Sequence, residues 1–191
     1  VDSEKKAIKI DSKFLDGFVS LGNLYSDLEK YREAINAYNR ALRLSPELAE
    51  LYFMRGNAYS QLENYGEAVN DYHRALDKNP EYFNAKLQLA NLLFELKRYN
   101  DAIEYYNDVL SSKPNNLTAL KNLSTSYYNV GFFKDAIASL NLYLSQNTDP
   151  DYQNLLGHAY FNLNMYQESI NAFKMVSNLE PEYININYNI G

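Results

Sequence analysis

A match every 33 or 34 residues constrains this chain more than any other feature of its sequence. Laid over the rest, the stretch from Ala49 to Tyr82 recurs with small residues at two fixed places. With Gly56 as the eighth residue of a 34-residue unit, its counterparts are Gly22, Ala90, Ser124 and Gly157, and the twentieth position reads Ala34, Ala68, Ala102, Ala136 and Ser169. Surfaces that never carry bulk are pressed together. Two other positions fill space: the eleventh is Tyr25, Tyr59, Leu93, Tyr127 and Tyr160, and the twenty-fourth is Tyr38, Tyr72, Tyr106, Leu140 and Phe173. The thirty-second is Pro46, Pro80, Pro114, Thr148 and Pro181. Proline after a long apolar-periodic run ends a helix, because it lacks an N–H and disfavours helix in the residue before it.

Between these marks the apolar spacing is helical, as in Leu21, Leu24, Tyr25 and Leu28, followed by Tyr31, Ile35, Tyr38, Ala41 and Leu42. Each unit therefore reads as two antiparallel helices of about 14 residues, joined by LEKY, LENY, LKRY, VGFF or LNMY. Helices this short are marginal alone in water. They persist when each pair covers its apolar face with the next, giving a one-dimensional stack. Full units run 15–48, 49–82, 83–116, 117–149 and 150–183. Residues 1–14 align with the second half of a unit and 184–191 with the start of a sixth, so the whole of 1–191 reads as one array and as a piece of a longer one.

These residues resemble the tetratricopeptide repeat (TPR) family, whose signature is an aromatic, Leu-Gly, Tyr, Ala, Phe and Pro at fixed offsets in 34 residues. The resemblance covers essentially the whole chain. It implies an all-α fold, an α-solenoid wound as a right-handed superhelix, with the first helix of each pair lining a concave groove. Departures are local. The fourth-position aromatic is kept as Phe18 and Tyr52 but becomes Lys86, Leu120 and Gln153. Arg55 stands where Leu is expected, and should snorkel or pair with a nearby acid. The fourth unit is one residue short, with Asp149 and Pro150 opening the next helix.

On the first helices, the positions free of packing duty hold the candidate peptide-binding residues: Asn23, Phe53, Asn57, Asn91, Phe94, Lys121, Asn122, Tyr128, Asn154, His158 and Phe161. An amide donates and accepts, so a row of Asn can satisfy the backbone of an extended peptide, with the aromatics holding its apolar side chains. The same surface carries Asp16, Asp27, Glu50, Glu95 and Asp151 against the single Lys121. It should repel acidic segments, and the Lys and Arg set by which chaperone-binding TPR proteins clamp an acidic tail is missing: the fifth positions of the first three units are Val19, Phe53 and Leu87. The partner implied is a neutral or basic protein or peptide.

A net charge of -6 argues against a general phosphate-binding surface and hence against nucleic acid. No apolar run approaches the roughly 18 residues needed to span a bilayer. Cysteine is absent, which excludes disulfides and thiolate metal sites and leaves the compartment open, the cytoplasm slightly favoured. Two histidines, His73 and His158, lie without ligand-like spacing to carboxylates, and phosphate loops and nucleophile motifs are missing. His158, at the ninth position where other units carry Asn, is expected to hydrogen-bond. No catalysis, cofactor or metal is expected within these residues. The function expected is a protein-interaction scaffold gripping a partner segment in the groove. The alternative is the substrate-recognition arm of a larger enzyme, as in O-linked N-acetylglucosamine transferases. Apolar edges around Ala7, Ile8, Ile186 and Ile190 suggest end-to-end self-association.

Overall fold

The computed structural model describes residues 2–179, with side chains from residue 13 onward. The edges at Ala7, Ile8, Ile186 and Ile190, the end of the fifth unit and the segment 184–191 lie outside the described side chains. Ten helices, and no strand among the described residues, make up the fold: α1 Asp2–Asp27, α2 Tyr31–Leu44, α3 Ala49–Gln61, α4 Tyr65–Lys78, α5 Phe83–Glu95, α6 Tyr99–Ser112, α7 Leu117–Asn129, α8 Phe133–Leu144, α9 Pro150–Asn162 and α10 Tyr166–Leu179. The architecture is an all-α solenoid of helix pairs.

One boundary differs from the sequence register. A break was expected near residues 14 and 15, but α1 runs unbroken through them. Every later boundary holds a proline, at Pro46, Pro80, Pro114 and Pro150, whereas Ser12-Lys13-Phe14 contains no residue without an N–H, so nothing interrupts the helical ladder.

Each turn inside a pair is the same device. Its fifteenth residue is left-handed, with φ of 57° at Glu29, 59° at Glu63, 58° at Lys97, 82° at Gly131 and 60° at Asn164. The following N–H reaches back to the carbonyl of the eleventh residue, as in Lys30 N to Tyr25 O at 2.8 Å and Asn64 N to Tyr59 O at 2.9 Å. This closes the helix by a Schellman turn and reverses the chain. Only Gly131 adopts that backbone without steric cost.

The chain divides into two compact units, Val1–Leu92 and Leu93–Gly191. In the first, Tyr38 and Tyr72 are almost wholly buried and each lies across the glycine of its own repeat. A Cβ on Gly56 would come within 2.9 Å of the Tyr72 ring, and one on Gly22 would meet Tyr38. Ala34, Ala41, Leu51, Ala58 and Ala68 fill the core around them. Arg55 has found its acid. Its Nε and Nη2 donate to the two oxygens of Asp71 at 2.7 Å each, and Nη1 donates to Asn39 Oδ1. Burial opposes the charge on Arg55, but the hydrogen bonds and charge of Asp71 outweigh it and raise the guanidinium pKa above its ordinary value. Asp71 is only 2% exposed, so the pair needs its bidentate geometry to offset desolvation.

In the second unit the same logic recurs with other residues. Phe173 covers Gly157, where a Cβ would approach it to 2.5 Å. Ser169, at the twentieth position, donates its hydroxyl to the Gly157 carbonyl at 2.9 Å, so the two small positions touch directly. The core also takes in Tyr106, Leu120, Leu123, Leu140, Leu156 and Val176. After the shorter α8, Asp149 caps α9, accepting from Tyr152 N at 3.4 Å, with Pro150 in the first turn.

Candidate peptide-binding surface

In the first unit the ninth-position amides are held by tyrosines of the second helices. Tyr38 donates its hydroxyl to Asn23 Oδ1 and Tyr72 donates to Asn57 Oδ1, both at 2.8 Å. Burial and the nearby Asp27 carboxylate raise the Tyr38 pKa, so the hydroxyl keeps its proton. Each tyrosine takes one of the two Oδ1 lone pairs and fixes the amide's orientation, and neither Nδ2 is hydrogen-bonded among the described residues, so both amides keep their N–H donors to offer. Asn57 lines a concavity of about 430 Å³ together with Ser26, Tyr31, Ser60, Gln61, Tyr72 and Gln88. Five of those seven, Ser26, Asn57, Ser60, Gln61 and Gln88, sit on the first helices α1, α3 and α5. Asn91 is half-buried on α5. Phe53 packs its ring 5.1 Å from that of Tyr82 and 6.0 Å from Tyr72.

In the second unit the candidates are more fully occupied. Phe94, Tyr128 and Phe161 each meet, edge to face, the aromatic that opens the second helix of the same repeat: Tyr99 at 5.7 Å, Phe133 at 5.5 Å and Tyr166 at 5.7 Å. They are therefore half of a fixed ring pair and not free-standing sockets, although Phe161 stays 55% exposed. Asn122 donates to the Tyr106 hydroxyl at 2.9 Å, which commits one of its donors. Lys121 is held on two sides: its ammonium lies 3.9 Å from Asp149 Oδ2 and 4.7 Å above the Tyr152 ring. Asp149 also accepts from Tyr143 at 2.8 Å, and burial with that carboxylate pushes the Tyr143 pKa up to about 12.

His158 does not hydrogen-bond through its ring among the described residues. It packs edge to face on Phe173 at 5.1 Å, and burial lowers its pKa. The reason is its partner: Phe173 lacks the hydroxyl that Tyr38 and Tyr72 use. Asn154 keeps a buried Oδ1 with no partner among the described residues.

The twenty-fourth position does more than fill space, since Tyr38 and Tyr72 there also hold an amide. A signal was present. Where that position is Tyr38, Tyr72 or Tyr106 the ninth is Asn23, Asn57 or Asn91; where it is Leu140 or Phe173 the ninth is Thr125 or His158. A hydroxyl and an amide come and go together.

Family models described as tetratricopeptide repeat match residues 53–116, 93–159 and 150–183, and one described as TPR repeat matches 22–62. No curated protein sequence matches the chain significantly. Among solved structures it is similar to YrrB, described as a TPR protein with an unusual peptide-binding site, with a TM-score of 0.83 at 20% identity over 97% of this chain and 96% of that one. It is similar also to a MamA protein (TM-score 0.80, 17% identity, 91% of this chain, 96% of that one) and to MamA from Desulfovibrio magneticus RS-1 (0.77, 18%, 89% and 97%). Identities this low speak for the fold alone. With the matched segments reaching from residue 22 to residue 183 and the helix pairs repeating in register, the chain belongs to the tetratricopeptide repeat proteins.

Proposed function

We propose that the chain is a non-catalytic protein-interaction scaffold that takes an extended, neutral or basic segment of a partner along its first-helix surface. The observation that carries this is the Asn57 amide, fixed by Tyr72 in a polar concavity with its N–H donors still to offer. Donors held in place fit the carbonyl oxygens of an extended backbone, and fixing them beforehand removes part of the ordering cost of binding. Glu50 and Asp27 on the same helices favour a partner without acidic runs. The peptide-binding site in the description of YrrB supports the same reading.

The test is selection from a phage-displayed library of random dodecamers, followed by calorimetry on synthetic versions of the enriched sequences. The reading predicts peptides poor in Asp and Glu, bound about tenfold more weakly by an Asn57→Ala variant that still unfolds cooperatively well above the assay temperature. No enrichment, or enriched peptides that bind Asn57→Ala as tightly as the wild type, would overturn it.

A further inference from the structure

A second concavity, of about 400 Å³, lies in the other unit between α8 and α10, on the side of the second helices. Gln153 and Leu156 form its floor, 6% and 5% exposed, and Tyr160, Glu168, Asn171 and Met175 form its walls, with Asn141 on the α8 rim. The repeat register explains why it is open. The same groove in the second repeat is filled from within: Arg55 stands where Leu156 does, Asp71 where Ala172 does, Tyr52 where Gln153 does and Arg74 where Met175 does. There the Arg55 guanidinium is gripped by Asp71 and Asn39, and its carbon sits 5.6 Å from the Tyr52 ring centroid and 6.0 Å from that of Tyr59. In the first repeat Arg40 lines the corresponding groove and lies 4.1 Å over Phe18. The fifth repeat has neither an arginine nor an aromatic to put there. It keeps the tyrosine as Tyr160 and the rim amide as Asn141, loses Asp71 to Ala172, and carries Glu168 where the second repeat has Glu67.

What is left open has a chemistry. Glu168 makes no ion pair among the described residues. Gln153, though more than nine-tenths buried, has only a weak side-chain hydrogen bond, from Nε2 to the Met175 thioether at 3.6 Å. A carboxylate and amide oxygens around an apolar slot suit a planar cation on an aliphatic stem: Leu156 and Met175 cover the methylenes, while Glu168 and the amides accept from the fork.

We infer that the groove between α8 and α10 is a docking site for an arginine side chain of a basic partner segment, supplied from outside where the first two repeats supply their own. The net charge of -6 favours the approach of such a partner. The site shares no residue with the first-helix surface, so it stands or falls independently of the function proposed above.

Three methionines, Met54, Met165 and Met175, make the test legible by methyl NMR on selectively labelled protein. The probe is a capped pentapeptide, Gly-Ser-Arg-Ser-Gly, compared with versions carrying lysine or the neutral isostere citrulline at the centre. The expected result is a saturable shift of the Met175 methyl with Met54 unmoved, about tenfold weaker binding of the citrulline version, and a similar loss in Glu168→Gln. Gln153→Tyr, which restores the ring found in the second repeat, should abolish the response, with the signal of Met165, in the same repeat, reporting that the variant is folded there. Asn57→Ala should leave the response intact. A Met175 methyl that does not move at millimolar peptide, a citrulline version that binds equally well, or an undiminished response in Glu168→Gln would overturn the assignment.

Discussion

Arg55 and Asp71 show how one residue pair can look like an error in the sequence and be a necessity in the fold. Arg55 takes a position that is leucine in the other four repeats, and its side chain is 12% exposed against 3% for Asp71. Removing only the acid strands a buried cation, so Asp71→Ala should cost about 3–5 kcal/mol in urea unfolding. Adding Arg55→Leu installs the pair that the fifth repeat already has, Leu156 with Ala172, and should restore more than half of that loss. A single variant no worse than the double would contradict this. His158 gives a pH effect with a definite sign. Burial lowers its pKa, so in acid the folded chain binds fewer protons here than the unfolded one. The stabilisation is present above the ordinary imidazole value of about 6.5 and is lost as the pH falls through the lower folded value. His158→Asn should therefore flatten the stability profile in that window, measured by urea midpoints from pH 7 downward. A profile unchanged by the substitution would show that other groups set the slope.

At the level of the helix and its turn, the repeat is terminated by backbone geometry more than by side chains. Most second helices begin without a side-chain cap; Lys30, Asn64 and Arg98 precede α2, α4 and α6 without making one. The left-handed fifteenth residue does the work instead, and in three repeats it is a glutamate or lysine that favours another conformation. Glu63→Gly should raise stability by about 0.5–1 kcal/mol, less any entropy gained by the unfolded chain. A midpoint that falls would contradict the turn geometry. The helices themselves were legible because the small, bulky and proline positions recur in every unit, so an ambiguous unit such as the fourth is read from its neighbours. The continuity of α1 was not legible, because the period continues across residues 12–14 while the residue that breaks helices elsewhere is absent there.

Across the whole molecule, periodicity discloses architecture and conceals what happens between positions far apart in the period. The candidate residues fell on the first helices as read, but the sequence could not say that Asn57 would be held by Tyr72, that Lys121 would lean on Asp149, or that Gln153 would leave a groove empty. Those facts depend on which side chain crosses to which neighbouring helix or cap, fifteen or more residues away. One coupling joins the packing to the proposed binding surface: Tyr38 and Tyr72, which pack the repeats, hold the amides of Asn23 and Asn57. Phe173 shows that the fold accepts the ring without the hydroxyl. Tyr72→Phe isolates the coupling. Calorimetry with the peptide selected on wild-type protein, alongside urea unfolding, should show affinity reduced about fivefold or more with stability lowered by no more than about 1 kcal/mol. Unchanged affinity in Tyr72→Phe would mean that the amide does not depend on the tyrosine for its orientation, and would contradict the account.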